Sequence, residues 1–206
     1  MDAAEILRRY AIGERNFSGV DLNGANLSKA YLVDVNLSQA NLTRIDLSMA
    51  NLAGANLSGT ILAISDLKQV NLTQAILDDA ILAEADLDDA NLREASLRWT
   101  VFYRCSLRKA DLSKACLYAA DLSNANFTQA NLSGADLRGS SLFETIFYQA
   151  NLTQANLSEL SLTDSTSFRE ANLTESNLAG VDMTMMDYFQ GACLTGAILP
   201  DEIINE

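Results

Sequence analysis

An elongated all-β solenoid is the fold this 206-residue chain predicts, and three observations carry it. First, a Leu or Phe falls on every fifth position from Phe17 to Leu162, through 30 consecutive units. Second, taking that large residue as i, position i−2 is small or β-branched (Ala25, Ala30, Val35, Ala40, Ile45), and neither column carries a charge from Val20 to Leu160. The residue between them is usually Asn or Asp, as in Asn26, Asn41, Asp46, Asp66 and Asp111. Third, nine of the ten glycines share position i+2, Gly13 being the exception.

A period of five matches neither the 3.6 of a helix nor the 2 of a long strand, so neither element could hold these residues on one face. Three extended residues alternating in, out, in, followed by a two-residue corner, can do so. Ser18, Ser28, Ser38, Thr43 and Ser48 at i+1 supply hydroxyls that bond nearby backbone, and Gly at i+2 accepts a positive φ without steric cost. One unit buries too little to stand alone, so the units must wind into coils that stack. Charges test the coil size: Asp78 and Arg98, Glu84 and Arg104, Asp88 and Arg108, Asp89 and Lys109, and Glu94 and Lys114 are opposite pairs twenty residues apart. That favours four units per coil, about nine coils in all and a rod on the order of 40 Å long. Exposed pairs of this kind mark register rather than supply stability. Stability is assigned to the Leu and Phe column, at roughly 1.5 to 3 kcal/mol per buried side chain before entropy is subtracted.

Segments such as Ala55-Asn56-Leu57-Ser58-Gly59 and Ala120-Asp121-Leu122-Ser123-Asn124 match the A(D/N)LXX consensus. In this the chain resembles the pentapeptide-repeat proteins over about nine-tenths of its length. The resemblance implies a right-handed quadrilateral β-helix, the hand coming from the family alone. The opening from Ile6 to Phe17 and the ending from Gly196 to Pro200 are similar to termini of cyanobacterial members, among them the type that influences heterocyst differentiation.

Along the chain, residues 1–13 are expected to form an N-terminal capping helix, 14–200 the repeat β-helix and 201–206 a C-terminal tail. Ile6, Leu7, Tyr10 and Ala11 share one side of the helix, Asp2 and Glu5 resemble a capping box, and Gly13 is a natural stop. Such a helix would cover the first coil, whose edge is otherwise open. Between Asp78 and Glu94 the outside turns acidic, and from Arg93 to Lys114 it turns basic. After Leu162 the frame slips by one residue to Phe168, through a bulge at 163–167, and it slips again to reach Phe189, Leu194 and Leu199. Pro200, the only proline, can stop the winding because it lacks an N–H. Met185, Met186, Tyr188, Ile203 and Ile204 leave apolar material at this end, to close the last coil or to pair two copies end to end, as some family members do.

One outer face departs from the pattern. Position i−1 becomes apolar at Ile61, Ile81 and Val101, three coils running, with Trp99 and Tyr103 beside them and Tyr118 one coil above Arg98. Together with Arg104 these residues have the aromatic, aliphatic and Arg composition of a protein-binding hot spot, against the alternative of ordinary scattered apolar surface. Ile61, Ile81, Arg98, Trp99, Val101, Tyr103, Arg104 and Tyr118 are therefore the candidate partner-binding residues.

The remaining composition narrows the function classes. A formal charge of −13 argues against direct binding of nucleic acid or an anionic membrane. No apolar stretch reaches a membrane-spanning length, no signal-peptide core stands at the N-terminus, and three unpatterned cysteines suit a reducing compartment, so a cytoplasmic location is expected. The absence of His removes the commonest general base and metal ligand, and the acidic belt lacks a ligand pattern. No catalytic residue, cofactor or metal is expected, and the chain reads as a non-enzyme. Two functions remain: a regulatory scaffold that binds a protein partner through the apolar face, or, by the resemblance, an acidic DNA mimic that binds DNA gyrase or another topoisomerase. A monomer or an end-to-end homodimer through the C-terminal coil is expected.

Overall fold

In a computed structural model, which describes residues 1–160, 162, 165–183 and 186–200, the chain winds as a stacked β-helix. Parallel bridges join i−1 residues twenty apart, from Asn16 with Asn36 to Asp136 with Asn156, so each coil has four sides. These are isolated bridges rather than strands, because a five-residue unit leaves only one residue per side with the full pairing pattern. Past the slip the spacing becomes twenty-one, as in Ile146 with Ser167, Asn151 with Asn172 and Asn172 with Cys193. Of the expected bulge, Thr163 and Asp164 lie outside the described residues, as do Met185, Ile203, Ile204 and the whole tail 201–206.

Where i−1 is Asn or Asp a unit can satisfy all five of its N–H groups, as the unit around Leu42 shows. The N–H of Ala40 closes a turn to Leu37 O at 3.1 Å, that of Asn41 reaches Val20 O in the coil below, and those of Leu42 and Arg44 reach Ile61 O and Ala63 O in the coil above. The fifth, on Thr43, donates to Asn41 Oδ1 at 3.2 Å. This last bond explains the Asn and Asp column: the side chain is an acceptor for the corner, and Asn also donates across coils, as Asn41 Nδ2 does to Asp21 Oδ1. The second corner residue carries positive φ, near 60°, at Lys29, Gln39, Arg44, Gln69, Trp99 and many others as well as at Gly. The corner is a type II turn, and glycine marks only some of the positions that adopt it.

Inside, the i column from Phe17 to Leu157 is buried, with the i−2 residues packed between. Hydroxyls at i−2 bond the free lone pair of a core carbonyl: Thr100 Oγ1 donates to Leu77 O at 2.9 Å and Thr145 Oγ1 to Leu122 O at 2.9 Å. Four phenylalanines, Phe127, Phe147, Phe168 and Phe189, stack face to face with centroids 5.1, 4.9 and 5.2 Å apart. The one-residue slips keep this column in line, since Phe168 and Phe189 would otherwise fall out of register.

Helix α1, Ala3–Ala11, lies over the first coil and buries Ile6 and Tyr10, whose hydroxyl donates to Val33 O at 2.9 Å. Leu7 and Ala11, expected on the same side, are exposed instead, because only the i, i+4 pair Ile6 and Tyr10 points down. Half of the expected capping box forms. Asp2 Oδ1 accepts the Glu5 N–H at 2.8 Å, but the Glu5 carboxylate turns to Arg8 rather than back to the helix start.

The charge ladder is the main correction. The twenty-residue register holds, yet none of the five expected pairs forms an ion pair within 4.0 Å among the described residues. Asp78 Oδ1 instead accepts the backbone N–H of Arg98 at 3.0 Å and the Ser96 hydroxyl at 2.6 Å, and Asp88 does the same for Arg108 and Ser106. Ser96 and Ser106 occupy i−1, so an aspartate from the coil below replaces the missing Asn or Asp acceptor. A fixed backbone donor wins over a flexible guanidinium because it costs no side-chain entropy to hold in place.

Candidate protein-docking face

The apolar face is a consequence of what its i−1 residues cannot do. Ile61, Ile81 and Val101 are bridged one to the next, which stacks their side chains on one flat side of three successive coils. None can accept a hydrogen bond, and among the described residues no acceptor is found for the N–H groups of Ala63, Ala83 and Tyr103 at the neighbouring corner. Three coils in a row thus forgo the corner bond, worth about 0.5 to 1.5 kcal/mol each, and present aliphatic surface in its place. Ile61 and Ile81 are each 41% exposed, and Ile64 at the corner beside them is 49% exposed.

Aromatic residues line both edges of this side. On the edge before it, Trp99 and Tyr118 meet edge to face, with centroids 6.4 Å apart and planes at 87°. Both are open to solvent, and the Arg138 guanidinium lies 5.9 Å from the Tyr118 ring. Arg138 is held in place by Asp136 through bonds of 2.8 and 2.9 Å. That guanidinium holds the Asp136 carboxyl below the usual carboxylate range, with burial opposing it. On the other edge Arg104 lies 5.1 Å over the half-buried Tyr103 ring. Arg98 and Arg104 are exposed at opposite corners of the Val101 coil and form no ion pair among the described residues.

The structure therefore gathers the eight sequence-derived residues as a central strip, Ile61, Ile81 and Val101, with Arg98, Trp99 and Tyr118 on one side and Tyr103 and Arg104 on the other. Phe143, exposed, stands two coils above Tyr103 on that second edge. Two features escaped the sequence reading. Arg138 was legible as the residue twenty beyond Tyr118, and the unaccepted N–H groups follow once the Asn and Asp column is understood as the corner acceptor. Ile76 and Ile146 are further exposed apolar i−1 residues, but each stands on a different side of the coil from the strip.

Elsewhere the side-chain chemistry is sparse. No group of three His, Cys, Asp or Glu able to hold a metal ion occurs among the described residues. Cys105 is buried in the core with its thiol directed at Leu82 O, and burial pushes its pKa up to about 12. Cys193 is exposed on the last coil, where hydrogen bonds from the Thr174 and Thr195 hydroxyls lower its pKa to about 7. No helix among the described residues is long and apolar enough to cross a membrane.

Comparison with known proteins agrees with the repeat geometry. The family described as pentapeptide repeats matches in eight copies, whose matched stretches run from residue 16 to 118 and from 120 to 158. Among solved structures, the chain is similar to HetL, a pentapeptide repeat protein involved in heterocyst differentiation regulation from the cyanobacterium Nostoc sp. strain PCC 7120. The two share 31% identity over 98% of each chain, with a TM-score of 0.49. It is also similar to trypsin-treated QnrB1, a plasmid-mediated fluoroquinolone resistance protein, at 21% identity over 91% of this chain and 88% of that one, with a TM-score of 0.43. A pentapeptide repeat protein of the Arabidopsis thaliana thylakoid lumen shares 32% identity over 52% of this chain and 71% of that one, with a TM-score of 0.35. Among curated proteins, none matches. With its repeats matched over more than half its length and its units wound four to a coil, the chain belongs to the pentapeptide-repeat family.

Proposed function

We propose that this protein is a non-enzymatic regulatory scaffold, acting in the cytoplasm, that docks a protein partner on the Ile61, Ile81 and Val101 side of its rod. One observation carries the reading: three consecutive coils replace the corner acceptor with an aliphatic side chain, leave the N–H groups of residues 63, 83 and 103 without it, and expose the result between aromatic edges. About nine coils make up the rod in this reading, and α1 caps its first coil through Ile6 and Tyr10.

The acidic-mimic reading fits less well. Arg98, Arg104, Arg108, Lys109 and Lys114 are all exposed in one coil and form no ion pairs among the described residues, so a positive band interrupts the negative surface. Unchanged supercoiling by gyrase in a large molar excess of the protein would remove it.

The test exploits the family's own consensus. A triple variant, Ile61→Asn, Ile81→Asn and Val101→Asn, restores the corner bonds while erasing the apolar strip. Affinity capture with wild type and variant, compared by quantitative mass spectrometry, is expected to lose a specific protein in the variant while the melting temperature stays within a few degrees. Equal capture by both forms overturns the reading.

A further inference from the structure

The charges around the strip are arranged so that the face is complementary to itself. The Ile81 coil carries Asp79 at one corner of this side and Glu84 at the other, and the Val101 coil above it carries Arg98 and Arg104 at the same two corners. None of the four is ion-paired within the chain among the described residues. Consider a second copy turned over by a two-fold axis that lies across this side, between the two coils. Left and right corners are preserved while the coil order is reversed, so Ile81 of each copy opposes Val101 of the other. Asp79 then opposes Arg98, and Glu84 opposes Arg104, twice each by symmetry. The same operation sets Tyr118 against the corner at Ser58 and Gly59, over which the Gln39 side chain lies.

We propose that a second copy of the chain covers this face as an antiparallel, side-by-side pair, and that self-association and partner docking exclude one another there. The inference rests on the docking reading above and adds its regulation: the pair masks the site, and dilution or a partner of higher affinity opens it. Four coils spaced about 4.8 Å apart and one coil side wide bury roughly 300 to 500 Å² per copy, which is the size of a weak, reversible contact rather than a permanent one. Because its centre is apolar and its rim carries four ion pairs, the pair should weaken with added salt.

Sedimentation equilibrium of the full chain between 1 and 500 µM tests the pairing. The expected result is a monomer–dimer equilibrium. Arg98→Glu with Arg104→Glu should weaken it at least tenfold, and adding Asp79→Arg and Glu84→Arg in the same chain should restore it, because the swapped face is again self-complementary. All four positions are exposed, and a thermal melt of each variant checks that the rod is intact. A monomer at every concentration overturns the proposal, as does a dimer indifferent to the charge reversal or one that the swap fails to restore. None of those results touches the partner reading, which falls only if the strip variant captures the same proteins as wild type.

Discussion

Replacing Asp78 with Ala separates a backbone role from a charge role at one side chain. Its Oδ1 accepts the Arg98 N–H at 3.0 Å and the Ser96 hydroxyl at 2.6 Å, at a half-buried site. Hydrogen bonds to a charged acceptor contribute about 1.5 to 3 kcal/mol each when well buried. Partial exposure and water replacing the carboxylate reduce the pair to about 1.5 to 3 kcal/mol in total. At roughly 2 to 4 °C per kcal/mol for a chain of this size, the melting temperature should fall by about 3 to 12 °C. Because repeat arrays can unfold in parts, hydrogen exchange at the Arg98 amide is the sharper assay, and it should lose protection ahead of its neighbours. Arg98→Ala provides the contrast: the backbone bond survives, so neither the melt nor the amide protection should change. Equal losses in the two variants would refute the reasoning, since they would mean that the guanidinium, not the backbone, is the partner of Asp78.

Two further outcomes follow from the core and the last coil. Phe147 stacks between Phe127 and Phe168 at 5.1 and 4.9 Å, so Phe147→Leu should cost about 1 to 3 kcal/mol even though Leu is the usual residue at i. A double-mutant cycle with Phe127→Leu in urea unfolding should show coupling of about 0.5 to 1.5 kcal/mol, and strict additivity would remove the stack as a stabilising unit. Cys193, lowered to about 7, should be alkylated by iodoacetamide with a rate that rises through neutral pH, whereas buried Cys105, raised to about 12, should react only on unfolding. Peptide mapping of the modified chain reads both, and labelling of Cys105 in the native state would contradict its placement.

Much of this architecture was legible in one dimension. The five-residue period placed Leu and Phe in the core and located both one-residue slips, the glycine column checked that frame, and the charge spacing pointed to twenty residues per coil. In a solenoid the neighbour in space is a fixed distance along the chain, so register and face can be counted. The strip at Ile61, Ile81 and Val101 and its aromatic edges came from the same counting. What counting could not supply is which of several groups within reach a side chain chooses. Asp78 and Asp88 chose backbone N–H groups over the arginines stacked above them, and Glu5 chose Arg8 over the helix start. The edge-to-face meeting of Trp99 with Tyr118 likewise depends on rotamers set by the packed coils. Nor did the sequence reveal that non-glycine residues such as Trp99 and Lys109 would take the left-handed corner, because a local preference against positive φ is overridden by three cross-coil hydrogen bonds per unit. Periodicity along the chain determines who is adjacent; competition among adjacent donors and acceptors, decided only once the coils have stacked, determines what they bond.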